Sequence, residues 1–169
     1  MRYWKFSPGR GHYYWDFCSN NSVAAIGWHR VGDLKQYRTL KELSEAFEKV
    51  GYPCCKWCTG DAQLWKFKND VSRNDRIVAY GRGFILSFGV VNNGYYFDED
   101  NPIDREWDVW YSHRRKIKWK PNTMRDVRDD DILFGNPPEY YGTLNKQLTF
   151  YEITDEFTKK YIEKLLTNT

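Results

Sequence analysis

Three stretches of the chain carry the side-chain types that do chemistry. They are the cysteine run Cys54-Cys55-Lys56-Trp57-Cys58, the acidic run Arg128-Asp129-Asp130-Asp131, and the basic run His113-Arg114-Arg115-Lys116-Ile117-Lys118. Cys55 and Cys58 have the spacing of two zinc ligands, but a structural zinc site takes four, usually as two separated pairs. Cys18, His12, His29 and His113 stand apart in the sequence, so no metal is expected and the cysteines read as buried free thiols. The Asp run is flanked by Arg125 and Arg128 and reads as a solvated loop rather than a cation cluster. The phosphate-binding GxxxxGK[ST] loop, HExxH, GxSxG and a Cys–His pairing are all missing from the sequence. The expectation is a binding module, not an enzyme, with no cofactor.

The basic run points to a partner. Side chains alternate along a strand, so Arg114, Lys116, Lys118 and Lys120 fall on one side and Ile117 and Trp119 on the other. A line of cations without an acid matches a phosphate backbone; it also describes an edge strand that lysines protect from aggregation. Arg2, Lys5 and Arg10 add positive charge near the N-terminal loop. Just before the run, Trp107, Trp110 and Tyr111 sit among Asp and Arg with no core periodicity. Large aromatics there suit base stacking, worth about 1–3 kcal/mol per base, or fold back to cap the core. The net charge of +3 is too small to argue for nucleic acid by itself.

These residues need elements to position them. At 169 residues, 41% hydrophobic and 29% charged, the chain reads as one globular domain over residues 1–169. With 8 Trp, 13 Tyr and 10 Phe, aromatics must build much of its core. Neither a signal-type apolar segment nor an 18-residue apolar run occurs, so no membrane partner and a soluble, cytoplasmic protein are expected. Tyr3–Phe6 reads as a strand stopped by a Pro/Gly loop, and Val23–Trp28 as a second, central one. Residues 38–51 read as a helix with Thr39 and Glu42 as a capping box and Gly51 as its stop, and residues 61–68 as a shorter helix. Residues 76–81, 83–91, 94–98, 114–119 and 148–153 read as strands, and a C-terminal helix follows with Thr154 as its cap. The fold class is α/β in the α+β sense: about six strands in a curved, barrel-like sheet with two or three helices outside.

The segment Ala24-Ala25-Ile26-Gly27-Trp28-His29-Arg30-Val31-Gly32-Asp33-Leu34, a downstream Leu64-Trp65-Lys66-Phe67, the turn around Asn92-Asn93-Gly94 and the strand His113–Trp119 occur together in this order. In this the chain resembles, over essentially its whole length, the N-terminal DNA-recognition domain of McrB-like, modification-dependent restriction ATPases, in the EVE/YTH branch of the PUA-like superfamily. The resemblance implies an aromatic cage for one modified base. Trp28 would form one wall, as the Trp directly after the second strand's Gly does in YTH-type domains, and Trp107 or Trp110 the second. Ser19-Asn20-Asn21-Ser22 is similar to a polar segment near the bound base in that family. With the basic strand, Arg10, His113, Arg114, Arg115, Lys116 and Lys118 become the expected DNA-backbone contacts.

The implied function is recognition of a methylated base in DNA, N6-methyladenine first, by flipping it into the cage. The implied partners are an ATPase domain in a longer chain and a McrC-like nuclease subunit. The alternatives are 5-methylcytosine or 5-hydroxymethylcytosine in DNA, or a YTH-like RNA-binding module.

Overall fold

A computed structural model describes residues 1–52, 59–101, 103, 110–130, 144 and 148–167. Cys54, Cys55, Cys58, Trp107 and Asp131, which carry sequence expectations, lie outside the described residues.

Among the described residues, seven strands and four α-helices follow in the order β1 (Tyr3–Phe6), α1 (Trp15–Asn20), β2 (Val23–Ile26), α2 (Leu40–Lys49), α3 (Gly60–Asn69), β3 (Arg76–Gly81), β4 (Phe84–Phe97), β5 (His113–Trp119), β6 (Arg125–Asp126), β7 (Phe150–Ile153) and α4 (Glu156–Thr167). They form an open mixed sheet in the order β2-β5-β4-β3-β1-β7, with β6 paired to β4. β1 is parallel to β3, and every other pair is antiparallel. Residues 83–91 and 94–98, expected as two strands, are one long β4. Its pairing with β5 shifts register between Val91 and Tyr95, so the Asn-Asn-Gly turn signal became an irregularity within a strand instead of a break.

Both faces of the sheet are covered, so β1 is buried throughout. On one face Trp4, Phe6, Ile26, Phe67, Ile77, Ile117 and Phe150 pack with Leu43 and Phe47 of α2 and Leu64 of α3. On the other, Tyr3, Val78, Tyr80, Phe88 and Tyr151 pack with Ile162 and Leu165 of α4. Lys5 lies in this second layer, 2% exposed. Its Nζ donates to the Leu148 carbonyl at 2.5 Å and faces the rings of Tyr80 and Tyr151. Burial pulls its pKa down to about 7. It is no surface cation.

Local polar contacts explain where the elements begin. Thr39 accepts from the Glu42 amide, and Glu42 accepts in return from the Arg38 amide; this is the capping box, displaced by one residue on its return arm. At α4 the expected cap Thr154 gives way to Asp155, whose carboxylate accepts from the Thr158 amide. Buried Asp75 ties β1 to the turn before β3. It accepts from the Trp4 indole at 2.9 Å and from the Arg2 and Ser72 amides.

Candidate functional site

The run Val23–Ile26 is buried at all four positions, and Gly27 ends it. Trp28 then takes φ 65 and ψ 35, the left-handed region, which costs an ordinary residue roughly 1–2 kcal/mol. The sequence expectation had Trp28 extended at the end of β2; the strand stops two residues earlier, and the turn re-aims the indole. One edge of that indole rests on the core. It lies 6.2 Å from the Phe47 ring, and a Cβ on Gly60 would come within 2.8 Å of it, so only glycine at 60 admits the ring. Trp28 nonetheless stays partly exposed.

The segment before β5 reaches the same place. Trp110 lies 6.1 Å from His29, the neighbour of Trp28. The Tyr111 ring passes under Gly27 and meets Tyr14 edge-on at 5.2 Å. Of the two expected partners of Trp28, Trp110 is thus set next to the Trp28 turn. Tyr111 and Tyr14 were not singled out for it, though Tyr111 belongs to the same aromatic cluster in the sequence.

A buried hydrogen-bond chain holds the Trp28 turn. His113 is fully buried; its Nε2 lies 3.3 Å from the Trp28 carbonyl and its Nδ1 3.0 Å from the Tyr95 hydroxyl. A carbonyl only accepts, so Nε2 carries the proton and Nδ1 accepts from Tyr95. The Tyr95 oxygen in turn accepts from the Leu34 amide at 3.1 Å. Burial pulls the His113 pKa down to about 4, so the neutral tautomer that this chain requires is the ordinary state.

This corrects the expected cation track at its first three positions. His113 is neutral and internal. Arg114 is 4% exposed and pairs with Asp98 at 2.5 Å while donating to the Tyr111 and Asn101 carbonyls. Arg115 is 3% exposed and donates to the carbonyls of Phe67, Lys68 and Asn93. Arg114 braces the segments that flank Asn101 and Tyr111 against β5, and Arg115 braces the end of α3 and the irregular part of β4; both guanidinium groups are spent on these internal partners. Lys116 and Lys118 are exposed, and Lys120 donates to the Leu166 carbonyl. Arg10 opens a short turn, Arg10–His12, after β1.

The polar segment Ser19-Asn20-Asn21-Ser22 ends α1 and enters β2 from the opposite end to Trp28. Asn21 caps α1 by donating to the Phe17 carbonyl, and the Ser22 carbonyl accepts from the Ile117 amide. Ser22 and Gly27, five residues apart across an extended strand, are about 17 Å apart. The segment is therefore not beside Trp28. Ser19 and Ser22 instead line a cleft with Lys118.

Among the described residues, no group of three or more His, Cys, Asp or Glu is placed to hold a metal ion. Cys18 is a buried free thiol with its pKa pushed up to about 12 by burial. No described helix is long and apolar enough to cross a membrane.

Residues 4–132, which run from within β1 through β6, match one family. The chain belongs to the family described as Domain of unknown function (DUF8426). No curated protein matches it. Among solved structures, this DUF8426 member is similar to the YTH domain of the Zygosaccharomyces rouxii MRB1 protein, solved in complex with N6-methyladenosine RNA. The identity is 14%, with 98% of this chain and 86% of that chain covered and a TM-score of 0.52. The fold is therefore YTH-like, as the sequence resemblance implied. A fainter likeness is to protein Atu2648 from Agrobacterium tumefaciens, with 10% identity, 99% and 92% coverage and a TM-score of 0.47.

Proposed function

We propose that this chain is a binding module, not an enzyme, that reads a methylated base in nucleic acid. Its preferred target in this reading is N6-methyladenine in DNA, and the base is flipped out to stack against Trp28. The observation that carries the reading is the Trp28 turn. A large aromatic is held in a costly backbone conformation, partly exposed, with Trp110 beside it and a buried histidine fixing its carbonyl. Strain of this kind persists where surrounding structure over-determines it, and it clusters at binding sites.

Flipping a base costs a few kcal/mol, which stacking at about 1–3 kcal/mol per aromatic contact offsets. The methyl group adds only about 0.8 kcal/mol by burial. Discrimination then depends on the unmethylated amine leaving an unsatisfied N–H, worth about 1–3 kcal/mol. In the same reading the chain targets an assembly whose ATPase and McrC-like nuclease act on the marked DNA. The YTH domain solved with N6-methyladenosine RNA supports a second reading, methylated RNA as the ligand.

The test compares duplexes that differ only in carrying no mark, N6-methyladenine, 5-methylcytosine or 5-hydroxymethylcytosine, with the matching RNA as a further arm. Trp28→Gly removes the ring and keeps the left-handed backbone free of strain; it should abolish preference for the mark, a loss of about 1–3 kcal/mol. Trp28→Phe should retain part of it. A folded Trp28→Gly protein that still prefers the marked strand overturns the proposal.

A further inference from the structure

We infer that the cleft at the far end of β2 is a second nucleic-acid contact, which takes the phosphodiester strand flanking the base at Trp28. The inference rests on the reading of Trp28 as the base site and adds a footprint to it. The cleft measures about 510 Å³ and is lined by Trp15, Ser19, Ser22, Lys118, Trp119 and Asn122, with further residues of the 120–124 turn and of β4. This is within the size range of small-ligand sites. Among the described residues, no carboxylate lines it.

Its chemistry suits a phosphate beside a sugar or base. Lys118 is exposed on β5, and no described side chain pairs with its ammonium. The Ser19 and Ser22 hydroxyls and the Asn122 amide supply neutral hydrogen-bonding groups on the other sides. Trp15 and Trp119 meet edge-on at 5.1 Å, and the Trp119 indole donates to the Cys18 and Val23 carbonyls. Those bonds fix the ring as a rigid wall between α1 and β5. Met124, 62% exposed, adds an apolar rim against which a base can lie. β5 lies between β2 and β4 and is no sheet edge, so edge protection does not account for Lys118 or for the hydroxyl and amide groups gathered round it in a concave site.

Geometry sets the spacing. The cleft and the Trp28 turn lie at the two ends of β2, about 17 Å apart by strand rise. One strand of a duplex rises about 3.4 Å per nucleotide, so the second contact falls about five nucleotides from the marked base. An extended single strand covers the same distance in fewer. Lys116, exposed between the two sites and over the Tyr96 ring, lies along the route.

The experiment uses single-stranded oligonucleotides with one N6-methyladenine, lengthened one nucleotide at a time on the 5′ or the 3′ side, with unmarked strands of equal length alongside. The affinity of the wild-type chain should rise in a step of about three- to tenfold when one side reaches three to five nucleotides, and then level off. Lys118→Gln should remove that step and leave the affinity for the shortest marked strand and the melting temperature unchanged. Ser22→Ala should reduce the step. Absence of a step, or a step that Lys118→Gln leaves intact, overturns the inference. The preference for marked over unmarked strands is read in the same titrations and tests the Trp28 site separately, since it depends on the mark and not on length.

Discussion

Arg114 and Arg115 on one side, Lys116 and Lys118 on the other, are neighbours in one seven-residue strand and have opposite fates. The arginines lie where other parts of the chain pack onto β5, the segments that flank Asn101 and Tyr111 for Arg114 and the end of α3 for Arg115, and each guanidinium donates to backbone carbonyls there. The lysines lie beyond that cover and project into solvent. The difference follows from chemistry as well as position. A guanidinium offers five donors in a rigid fork and is weakly hydrated, so it can serve several carbonyls at once; an ammonium is a compact, strongly hydrated charge. A run of basic residues is therefore not one patch. The half written in arginine braces the protein, and the half written in lysine stays at the surface.

The contrast can be broken most forcefully at Arg115. Arg115→Ala should leave the Phe67 and Lys68 carbonyls without donors, at about 1–3 kcal/mol each, for a total loss of roughly 3–5 kcal/mol. Urea denaturation of the variant is the measurement, and a loss below about 1 kcal/mol would place Arg115 with the lysines.

The next effect is one of pH. His113 has its folded pKa near 4, below the unfolded value of about 6.5. The unfolded chain therefore takes up the proton first as pH falls. The stability from neutral His113 is present above about pH 6.5 and is lost as pH drops toward 4, by roughly 3 kcal/mol in all. His113→Gln should flatten the stability profile across that window. It should also weaken the preference for the marked base by loosening the Trp28 carbonyl. An unchanged profile would mean that His113 is not the group titrating.

The smallest effect on the fold belongs to the lysines. Lys116→Glu with Lys118→Glu should shift stability by no more than about 0.5 kcal/mol. The same change should lower affinity for marked and unmarked strands alike and flatten the salt dependence of binding. Binding isotherms at two salt concentrations decide it.

Strand β1, the capped helix α2, β3, β5 and the last strand and helix were legible from apolar periodicity and caps, and the family resemblance anticipated the YTH-like fold. Helix α1 was not legible. Tyr13, Tyr14, Trp15 and Phe17 crowd its sequence with aromatics and leave no clean 3.6-residue stripe, and only Cys18 of the helix is buried. The burial of Lys5 was hidden for a related reason. A charge inside a four-residue strand signals an exposed face, whereas here both faces are covered and the Leu148 carbonyl with two tyrosine rings receives the ammonium.

At the candidate site, the position of Trp28 after Gly27 could be read, but its left-handed turn could not. That conformation depends on His113 and Tyr95, which the chain supplies much later. The family resemblance set Ser19–Ser22 near the base, whereas the segment enters β2 from the end opposite Trp28. Across an extended strand, a few residues separate two sites widely.

The sheet's connectivity also has a consequence for how the protein is made. β1 is synthesised before both of its sheet neighbours, β3 and β7, so Phe6 waits for Phe150 to complete its pairing. At about 5–20 residues per second, a ribosome takes on the order of ten seconds to reach that second partner. Until then Tyr3, Trp4 and Phe6 have no complete sheet to enter, and a strand of this composition with an open edge is a template for wrong pairing. Yield during expression should therefore depend on what shelters the nascent β1, and slower growth or added chaperone should recover more soluble chain than any change at the surface.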